Sequence, residues 1–296
     1  MSNLPDQHGR TAVVTGANSG LGLVTATELA RHGAHVVLAV RNVAAGQEAA
    51  RRIGGDVEVR ELDLASLASV RAFAERLAAD HPAIDLLINN AGVVLLGPRR
   101  TTADGFELHL GTNFLGHFAL TGLLLDNLVA APAPRVVSLS SITHKPAHLD
   151  FDDLMLERDY RPNAAYGRSK LATTIFGFEL DRRLRAAGSP ILSALAHPGL
   201  TRTNLTPRAW EHRGRLGRVI ARIGLLATQS VEQGTKPQLY AATDPGVHGG
   251  QFFGPASLWE TRGRVTEARA SRDATDPAIG KRLWAAAEQL TGVSYR

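Results

Sequence analysis

The sequence predicts an α/β fold in which a doubly wound parallel sheet carries helices on both faces. Short β-rich runs alternate along the chain with longer segments of helical periodicity, which is the pattern of a parallel sheet covered by helices. A glycine-rich turn also joins the first strand to the first helix. Since no internal repeat, low-complexity tract or break in composition divides the chain, we expect a single domain over residues 1–296.

The individual elements follow from this alternation. The first helix extends to Leu29, and Gly33 separates it from the second strand. The segment from Gly105 to Val129 is long and apolar, but Asp126 interrupts it, so we expect a buried helix and not a membrane span. Residues 142–165 and 204–227 are excursions from the core. The predicted strands are Thr11–Thr15, Ala34–Val40, Val57–Leu62, Asp85–Ile88, Arg135–Leu139 and Ile191–Leu195.

Composition and charge exclude several classes of protein. The chain has no cysteine, so disulfides, thiolate metal sites and a cysteine nucleophile are excluded. Its net charge is +5, but aromatic residues make up only 5% and no basic stripe contains stacking rings, which disfavours nucleic acid as a partner. Residues 1–10 lack the apolar region of a secretory signal, and no run of about 18 apolar residues occurs. We therefore expect a cytoplasmic protein without a membrane anchor.

The glycine-rich turn Thr15–Gly22 predicts a phosphate-binding site. It lies where a strand passes into a helix, so its backbone N–H groups and the helix dipole face an incoming anion. The spacing is G-x-x-x-G-x-G and differs from the G-x-G-x-x-G dinucleotide fingerprint. A tight connection without a ligand is the alternative interpretation. A triphosphate-binding loop is disfavoured, because no lysine follows the last glycine.

Arg41 favours NADP(H) over NAD(H) as the cofactor. A carboxylate at the end of the second strand binds the ribose hydroxyls in an NAD site, but here Arg41 and Asn42 follow Val40. A guanidinium can pair with a 2′-phosphate through charge-assisted bonds. We therefore predict NADP(H), with NAD(H) as an alternative cofactor and an exposed arginine without a ligand as the structural alternative.

Tyr166 and Lys170 are a candidate catalytic pair. Four residues separate them in a helical segment, so both side chains lie on one face. A free phenol has a pKa of about 10, and a neighbouring ammonium lowers that pKa by stabilising the phenolate. The spacing by itself is common in helices, and taken alone it favours an ordinary surface pair over a catalytic one.

The ordered set of motifs resembles the short-chain dehydrogenase/reductase family. The set consists of the glycine turn, Asn89-Asn90-Ala91-Gly92, Asn113, Ser140-Ser141, Tyr166 and Lys170, and it spans nearly the whole chain. The stretches TADGFELHLGTNFLGHFALT and AHPGLTRTNL are similar to the retinol-dehydrogenase-like branch. The resemblance implies a Rossmann-type doubly wound sheet and an NAD(P)-dependent oxidoreductase. It also implies a lipophilic alcohol or carbonyl as substrate, a covering segment near residues 204–227, and a dimer or tetramer as a common assembly.

The resemblance also assigns roles to the site residues. Asn113, Ser141, Tyr166 and Lys170 form the catalytic set, with Ser140 and Ser138 as weaker serine candidates. Ser141 and Tyr166 hydrogen-bond the substrate oxygen and Tyr166 transfers the proton, while Lys170 tunes the phenol and binds the nicotinamide ribose and Asn113 holds a water. The implied cofactor-binding residues are Gly16, Asn18, Ser19, Gly20, Leu21, Gly22, Arg41, Asp63, Leu64, Asn90, Ala91, Gly92, Tyr166, Lys170, Pro198, Gly199 and Thr203.

Several alternatives stay open at this point. Asp63 is equally well explained as a helix cap. A regulatory protein that binds NADP(H) without turnover is the second functional hypothesis, whereas a hydrolase is disfavoured because no G-x-S-x-G or H-E-x-x-H motif occurs. We predict no metal site and no chemistry for the histidines at 109, 117, 144 and 148. The arginines at 208, 213, 215, 218 and 222 with Trp210 are interpreted as a solvated helix face.

Overall fold

The computed structural model describes residues 4–201, 229–257 and 259–295, and its centre is one eight-stranded sheet. The strand order is β3-β2-β1-β4-β5-β6-β7-β8; neighbouring strands up to β7 pair in parallel, and β8 is antiparallel to β7. The bounds are β1 Thr11–Thr15, β2 His35–Val40, β3 Val57–Glu61, β4 Leu86–Asn89, β5 Arg135–Leu139, β6 Leu192–Ala196, β7 Phe252–Ser257 and β8 Arg262–Glu267.

Helices cover both faces of the sheet, and a separate cluster of buried hydrophobic side chains lies on each face. Adjacent residues of β1 point to opposite faces: Val13 belongs to the cluster with Phe118 and Ile175, and Val14 to the cluster with Leu29 and Leu239. The main helices are α1 Gly20–Arg31, α2 Val43–Ile53, α3 Leu67–Asp80, α4 Leu108–Leu110, α5 Gly116–Leu123, α6 Leu125–Val129 and α7 Pro162–Ala186, followed by Val231–Thr243, Arg272–Thr275 and Pro277–Thr291.

The predicted doubly wound parallel sheet is confirmed, and each predicted strand is present with ends that differ by at most one residue. Two strands were missed. β7 contains Gly254 and Pro255, which are poor strand formers, and β8 is an antiparallel edge strand with few apolar residues. The excursion predicted at 204–227 lies outside the described residues, and the single domain stays a prediction.

The buried helical segment predicted from Gly105 to Val129 is present from Leu108 onward, but it is not one regular α-helix. It is divided into α4, a π-helical turn Gly111–Leu115, α5 and α6. The backbone passes very close to the loop after β3, since a Cβ on Gly116 would lie 2.4 Å from the Leu64 carbonyl oxygen. Among the described residues, no helix combines the length and apolar character that crossing a bilayer requires.

Candidate active site

The predicted site residues follow the carboxyl ends of the parallel strands, so the sheet brings them to one edge. The chain turns to opposite sides of the sheet after β1 and β4, which are hydrogen-bonded neighbours, and such a reversal leaves a crevice at the strand ends. The residues that follow these ends are Gly16 after β1, Arg41 after β2, Asp63 after β3, Asn90 after β4, Ser141 after β5 and Pro198 after β6.

The glycine turn has the backbone of an anion-binding loop. Gly16 and Gly20 have positive φ angles of 67° and 55°, which side chains rarely adopt. Ser19 is the N-cap of α1, but its side chain makes no capping hydrogen bond, and the first turn of α1 contains no acidic residue. The first N–H groups of this 12-residue helix therefore keep their capacity for an anion. Asn18 and Leu21 are partly buried in the same turn.

Asn90 fixes this turn to the loop after β4. Its Nδ2 donates to the Thr15 carbonyl oxygen at 2.8 Å, and the Thr15 hydroxyl accepts the N–H groups of Asn90 at 3.0 Å and Ala91 at 2.9 Å. A Cβ on Gly22 would lie 2.5 Å from Asn90 Nδ2 and 2.6 Å from the Gly16 carbonyl oxygen. Asn90 Oδ1 is buried and has no hydrogen-bond partner among the described residues. An unpartnered acceptor beside a glycine cradle fits a bound dinucleotide.

Arg41 is exposed at the end of β2 and forms no ion pair with any residue in the described ranges. Asn42 caps α2, since its side chain accepts the Ala45 N–H at 3.0 Å. The guanidinium of Arg41 is therefore available to a phosphate at the same edge as the glycine turn.

Asp63 is not the cap of α3, because Ser66 is its N-cap and accepts the Ser69 N–H. Asp63 instead accepts the N–H of Ala65 at 3.0 Å, and its own N–H donates to the Ser69 hydroxyl. Leu64 is 7% exposed and packs in the core. The helix-cap alternative is thereby wrong, and the position of Asp63 after β3 is compatible with an adenine contact.

Ser141 and Tyr166 contact each other at the mouth of the site. Tyr166 lies on α7 and is partly buried, and its phenol lies close enough to the Ser141 hydroxyl for that hydroxyl to lower the pKa of the phenol. Ser140 is directed into the protein instead, where its hydroxyl contacts Thr174 Oγ1 at 2.6 Å and the Lys170 carbonyl oxygen at 3.3 Å. Ser138 is fully buried in β5. The geometry supports the choice of Ser141 over both other serines.

The pKa of Tyr166 departs from the prediction. Burial raises the pKa of the phenol, and the Ser141 hydroxyl beside it offsets only part of this increase. Lys170 does not produce the predicted decrease, because its ammonium is itself buried at 5% exposure and donates to the Leu139 carbonyl oxygen at 2.8 Å. Burial lowers the pKa of Lys170 to about 8. In this structure Tyr166 is thus held as a neutral phenol.

Asn113 lies in the π-helical turn and connects three segments. Its Oδ1 accepts the Val93 N–H at 2.7 Å, and its Nδ2 donates to Ser169 Oγ at 2.9 Å and to the Val93 carbonyl oxygen at 3.2 Å. A Cβ on Gly92 would lie 3.3 Å from Asn113 Oδ1 and 3.5 Å from Lys170 Nζ, so these three residues converge. The oxygen and the nitrogen of the Asn113 side-chain amide both hydrogen-bond to protein groups. We therefore expect Asn113 to position α7 rather than hold a water with that amide.

The loop after β6 is fixed by glycine and polar contacts. Gly199 has a φ of 65°, and a Cβ there would lie 2.3 Å from the Thr261 carbonyl oxygen. The Pro198 carbonyl oxygen accepts the Thr201 hydroxyl at 2.8 Å and Gln229 Nε2 at 2.6 Å. Thr203, the remaining residue predicted for this part of the cofactor site, lies outside the described residues.

Sequence reasoning missed a buried pair beside the candidate catalytic tyrosine. His109 is 1% exposed, and its ring lies edge-on to Tyr166 at 6.1 Å between centroids. Its Nδ1 lies 2.9 Å from Glu107 Oε1, while its Nε2 accepts the Leu95 N–H at 3.0 Å. The separation of two residues between Glu107 and His109 is not itself diagnostic. No signal in the sequence identifies the pair, because its partners are distant along the chain.

The comparisons with known proteins agree with this geometry. A family model described as short chain dehydrogenase matches residues 10–214. Human retinol dehydrogenase 13 is 40% identical over 295 residues, covering 96% of this chain and 85% of its own. Polyprenol dehydrogenase from Mus musculus is 42% identical over 301 residues, covering 98% of this chain and 86% of its own.

Two solved structures extend the comparison. A protein from Mycobacterium paratuberculosis is 43% identical with a TM-score of 0.83, covering 100% of this chain and 98% of that chain. A Beutenbergia cavernae protein assigned as an NAD(P)-dependent gluconate 5-dehydrogenase, with NADP bound at low occupancy, is 30% identical with a TM-score of 0.65. That alignment covers 83% of this chain and 95% of the other. This chain therefore belongs to the short-chain dehydrogenase family and is an NAD(P)-dependent oxidoreductase.

Proposed function

We propose that this oxidoreductase interconverts a carbonyl and a primary or secondary alcohol on a lipophilic small molecule, with NADP(H) preferred over NAD(H). The observation that carries the proposal is the proximity of the Ser141 hydroxyl and the Tyr166 phenol at the carboxyl edge of the sheet, with Lys170 one helical turn from Tyr166 on α7. A serine hydroxyl and a neutral phenol are two donors that can bind one carbonyl oxygen.

The roles of the residues follow from their protonation states. When bound, the nicotinamide cofactor supplies or accepts the hydride. Tyr166 donates its phenolic proton to the substrate oxygen during reduction and takes a proton back during oxidation. Ser141 orients that oxygen. Lys170 places a positive charge beside the site and is held by the Leu139 carbonyl oxygen, while Asn113 fixes α7 through Ser169. The residues of the glycine turn would hold the phosphates, and Asn90 would line the central portion of the cofactor.

The choice of a lipophilic substrate rests on the relatives, two of which are named for retinol and polyprenol. A panel of long-chain isoprenoid and short polar alcohols, with their carbonyl counterparts, tests it through the absorbance of NADPH. We expect kcat/KM to be at least about tenfold higher for the isoprenoid members, because each buried CH₂ contributes about 0.8 kcal/mol. Equal or higher kcat/KM for the short polar compounds would contradict a lipophilic site.

The choice of NADP(H) rests on Arg41. Replacing it by alanine, Arg41→Ala, is expected to weaken NADPH binding by about tenfold or more and NADH binding by less than about twofold, because only NADPH carries the 2′-phosphate. Dissociation constants from NAD(P)H fluorescence measure the effect. Arg52→Ala serves as the control, since Arg52 is an exposed arginine near the other end of α2. An unchanged ratio of the two constants in Arg41→Ala would refute the role of Arg41. The cytoplasmic location and a homo-oligomer stay predictions.

A further inference from the structure

Three potential metal ligands lie together at the edge of the sheet opposite the active site. His35 begins β2, Glu58 lies in β3, and His81 follows α3. One ligand atom from each of the three side chains lies within 4.8 Å of the other two. Since β2 rises by about 3.3 Å per residue, His35 is separated from Arg41 by roughly 20 Å. The cluster is therefore distinct from the cofactor site.

The distances within this cluster match those of a tetrahedral ion. His35 Nε2 lies 3.7 Å from Glu58 Oε1, and His81 Nε2 lies 2.8 Å from the same oxygen. Two ligands of a tetrahedral zinc ion, each about 2.05 Å from the metal, are about 3.3 Å apart. The two observed separations lie on either side of that value. The imidazole rings of His35 and His81 stack beside that oxygen, with 5.0 Å between their centroids and 27° between their planes.

His35 presents its Nε2 as a metal ligand would. Its Nδ1 lies 2.8 Å from Asp56 Oδ1, and donation of the Nδ1 proton to that carboxylate leaves a lone pair on Nε2. That Nε2 is buried and has no hydrogen-bond partner among the described residues. A carboxylate behind a histidine is the usual support of a metal-bound imidazole, because it fixes both the tautomer and the ring orientation.

The charges around the cluster favour a divalent cation. Three carboxylates lie around the cluster: Glu58 and Asp80 pair with Arg60, and Asp56 pairs with His35. A metal would displace two contacts of Arg60 with the ligand atoms: the 2.9 Å bond from Nε to Glu58 Oε1 and the 3.4 Å contact of Nη2 with His81 Nε2. Arg60 would keep Glu58 Oε2 at 3.1 Å and Asp80 at 2.8 Å. One Zn²⁺ together with Arg60 would balance the three negative charges.

We propose that His35 Nε2, His81 Nε2 and Glu58 Oε1 bind one Zn²⁺ ion, with water in the fourth position. Two imidazoles and a carboxylate are a ligand set that zinc accepts, whereas magnesium and calcium prefer oxygen ligands alone. The ion would join β2, the edge strand β3 and the end of α3. Its role is therefore structural: it stabilises the sheet edge far from the redox chemistry.

Binding is tested on the metal-free full chain with Co²⁺ as a spectroscopic probe. We expect one Co²⁺ per chain, the intense visible absorption of a four-coordinate site, and its loss when Zn²⁺ is added. Zinc at a hundredfold excess over its Kd should raise Tm by about 5 °C. His35→Gln and His81→Gln should each abolish the absorption and the Tm shift. Both variants should keep NADPH binding, which shows that they fold.

His148→Gln is the matched control, since His148 is an exposed histidine paired with Asp273 at 2.7 Å. It should bind Co²⁺ as the unmodified chain does. The proposal is overturned if the unmodified chain shows no saturable Co²⁺ absorption, or if His35→Gln and His81→Gln still give it. It is independent of the proposed function, because neither readout requires turnover.

Discussion

Tyr166 and Lys170 lie one turn apart on α7, yet burial shifts their pKa values in opposite directions. Burial penalises the charged form of each group, so it raises the pKa of the Tyr166 phenol and lowers that of the Lys170 ammonium to about 8. Near neutral pH the pair therefore consists of a neutral phenol and an ammonium. This is the combination that carbonyl reduction requires, with a proton on the donor and a positive charge beside it.

The pKa of Lys170 predicts the pH dependence of the reaction. As pH rises through about 8, Lys170 loses its charge while Tyr166 stays protonated, so kcat/KM for carbonyl reduction should fall above about pH 8. In Lys170→Arg the cation persists to much higher pH, and the decrease near pH 8 should vanish even though the absolute rate is lower. Profiles of kcat/KM for both proteins measure this. If the decrease near pH 8 persists in Lys170→Arg, a group other than Lys170 causes it.

At the scale of elements, the turn between β1 and α1 depends on close backbone contact. Gly22 is buried in the first turn of α1, against the Gly16 carbonyl oxygen and the Asn90 amide. A methyl group there would meet backbone, which cannot move as a flexible side chain does. The same contacts hold the turn against the loop after β4. A change at Gly22 should therefore alter the anion site more than the remainder of the fold.

Gly22→Ala is expected to weaken NADPH binding by about tenfold or more, because the turn must shift away from its anion-binding geometry. NADPH fluorescence titration measures the loss. Gly97→Ala is the matched control: a Cβ at Gly97 would meet nothing within 4 Å, so binding should be unchanged. Wild-type affinity in Gly22→Ala would show that the turn does not hold the cofactor through this close packing.

Elements whose patterns are local were predictable from the sequence. The first six strands, β1 to β6, are short β-rich runs bounded by turns, and their prediction required no tertiary information. The π-helical turn Gly111–Leu115 was not predictable from local periodicity, and one side-chain contact at this turn comes from a distant element: the Asn113 carbonyl oxygen accepts Thr173 Oγ1 of α7 at 3.2 Å. β8 was missed because an exposed edge strand lacks the apolar periodicity of the centre.

At the scale of the whole molecule, the hairpin β7–β8 connects the two loops beside the candidate catalytic residues. Glu260 lies at its turn, where Oε1 accepts Lys145 Nζ at 2.7 Å and Oε2 lies 3.1 Å from His197 Nε2. Lys145 follows the Ser141 loop, and His197 begins the loop of Pro198 and Gly199. These contacts cross more than 60 residues of chain, so no motif spacing could reveal them.

The site itself was predictable in part. Strand order places the residues after β1 to β6 at one edge, and a parallel sheet makes that consequence unavoidable. The protonation states were not predictable, since they depend on burial: the sequence indicates a Tyr166 phenol with a lowered pKa, whereas burial raises it. The supporting contacts of Asn113 with Ser169 and of His109 with Glu107 likewise depend on the folded arrangement of side chains.

The most direct test of the proposed function is Tyr166→Phe, which removes the proton donor and keeps the ring. Turnover should fall by about 10²–10⁴-fold, while the Kd for NADPH changes by less than about threefold because the phosphate contacts lie on other elements. Tyr240→Phe is the control, since Tyr240 is 37% exposed and packs edge-on against Phe253. It should keep wild-type turnover. Near-normal turnover by a Tyr166→Phe variant that still binds NADPH would contradict the assignment of Tyr166 as the proton donor.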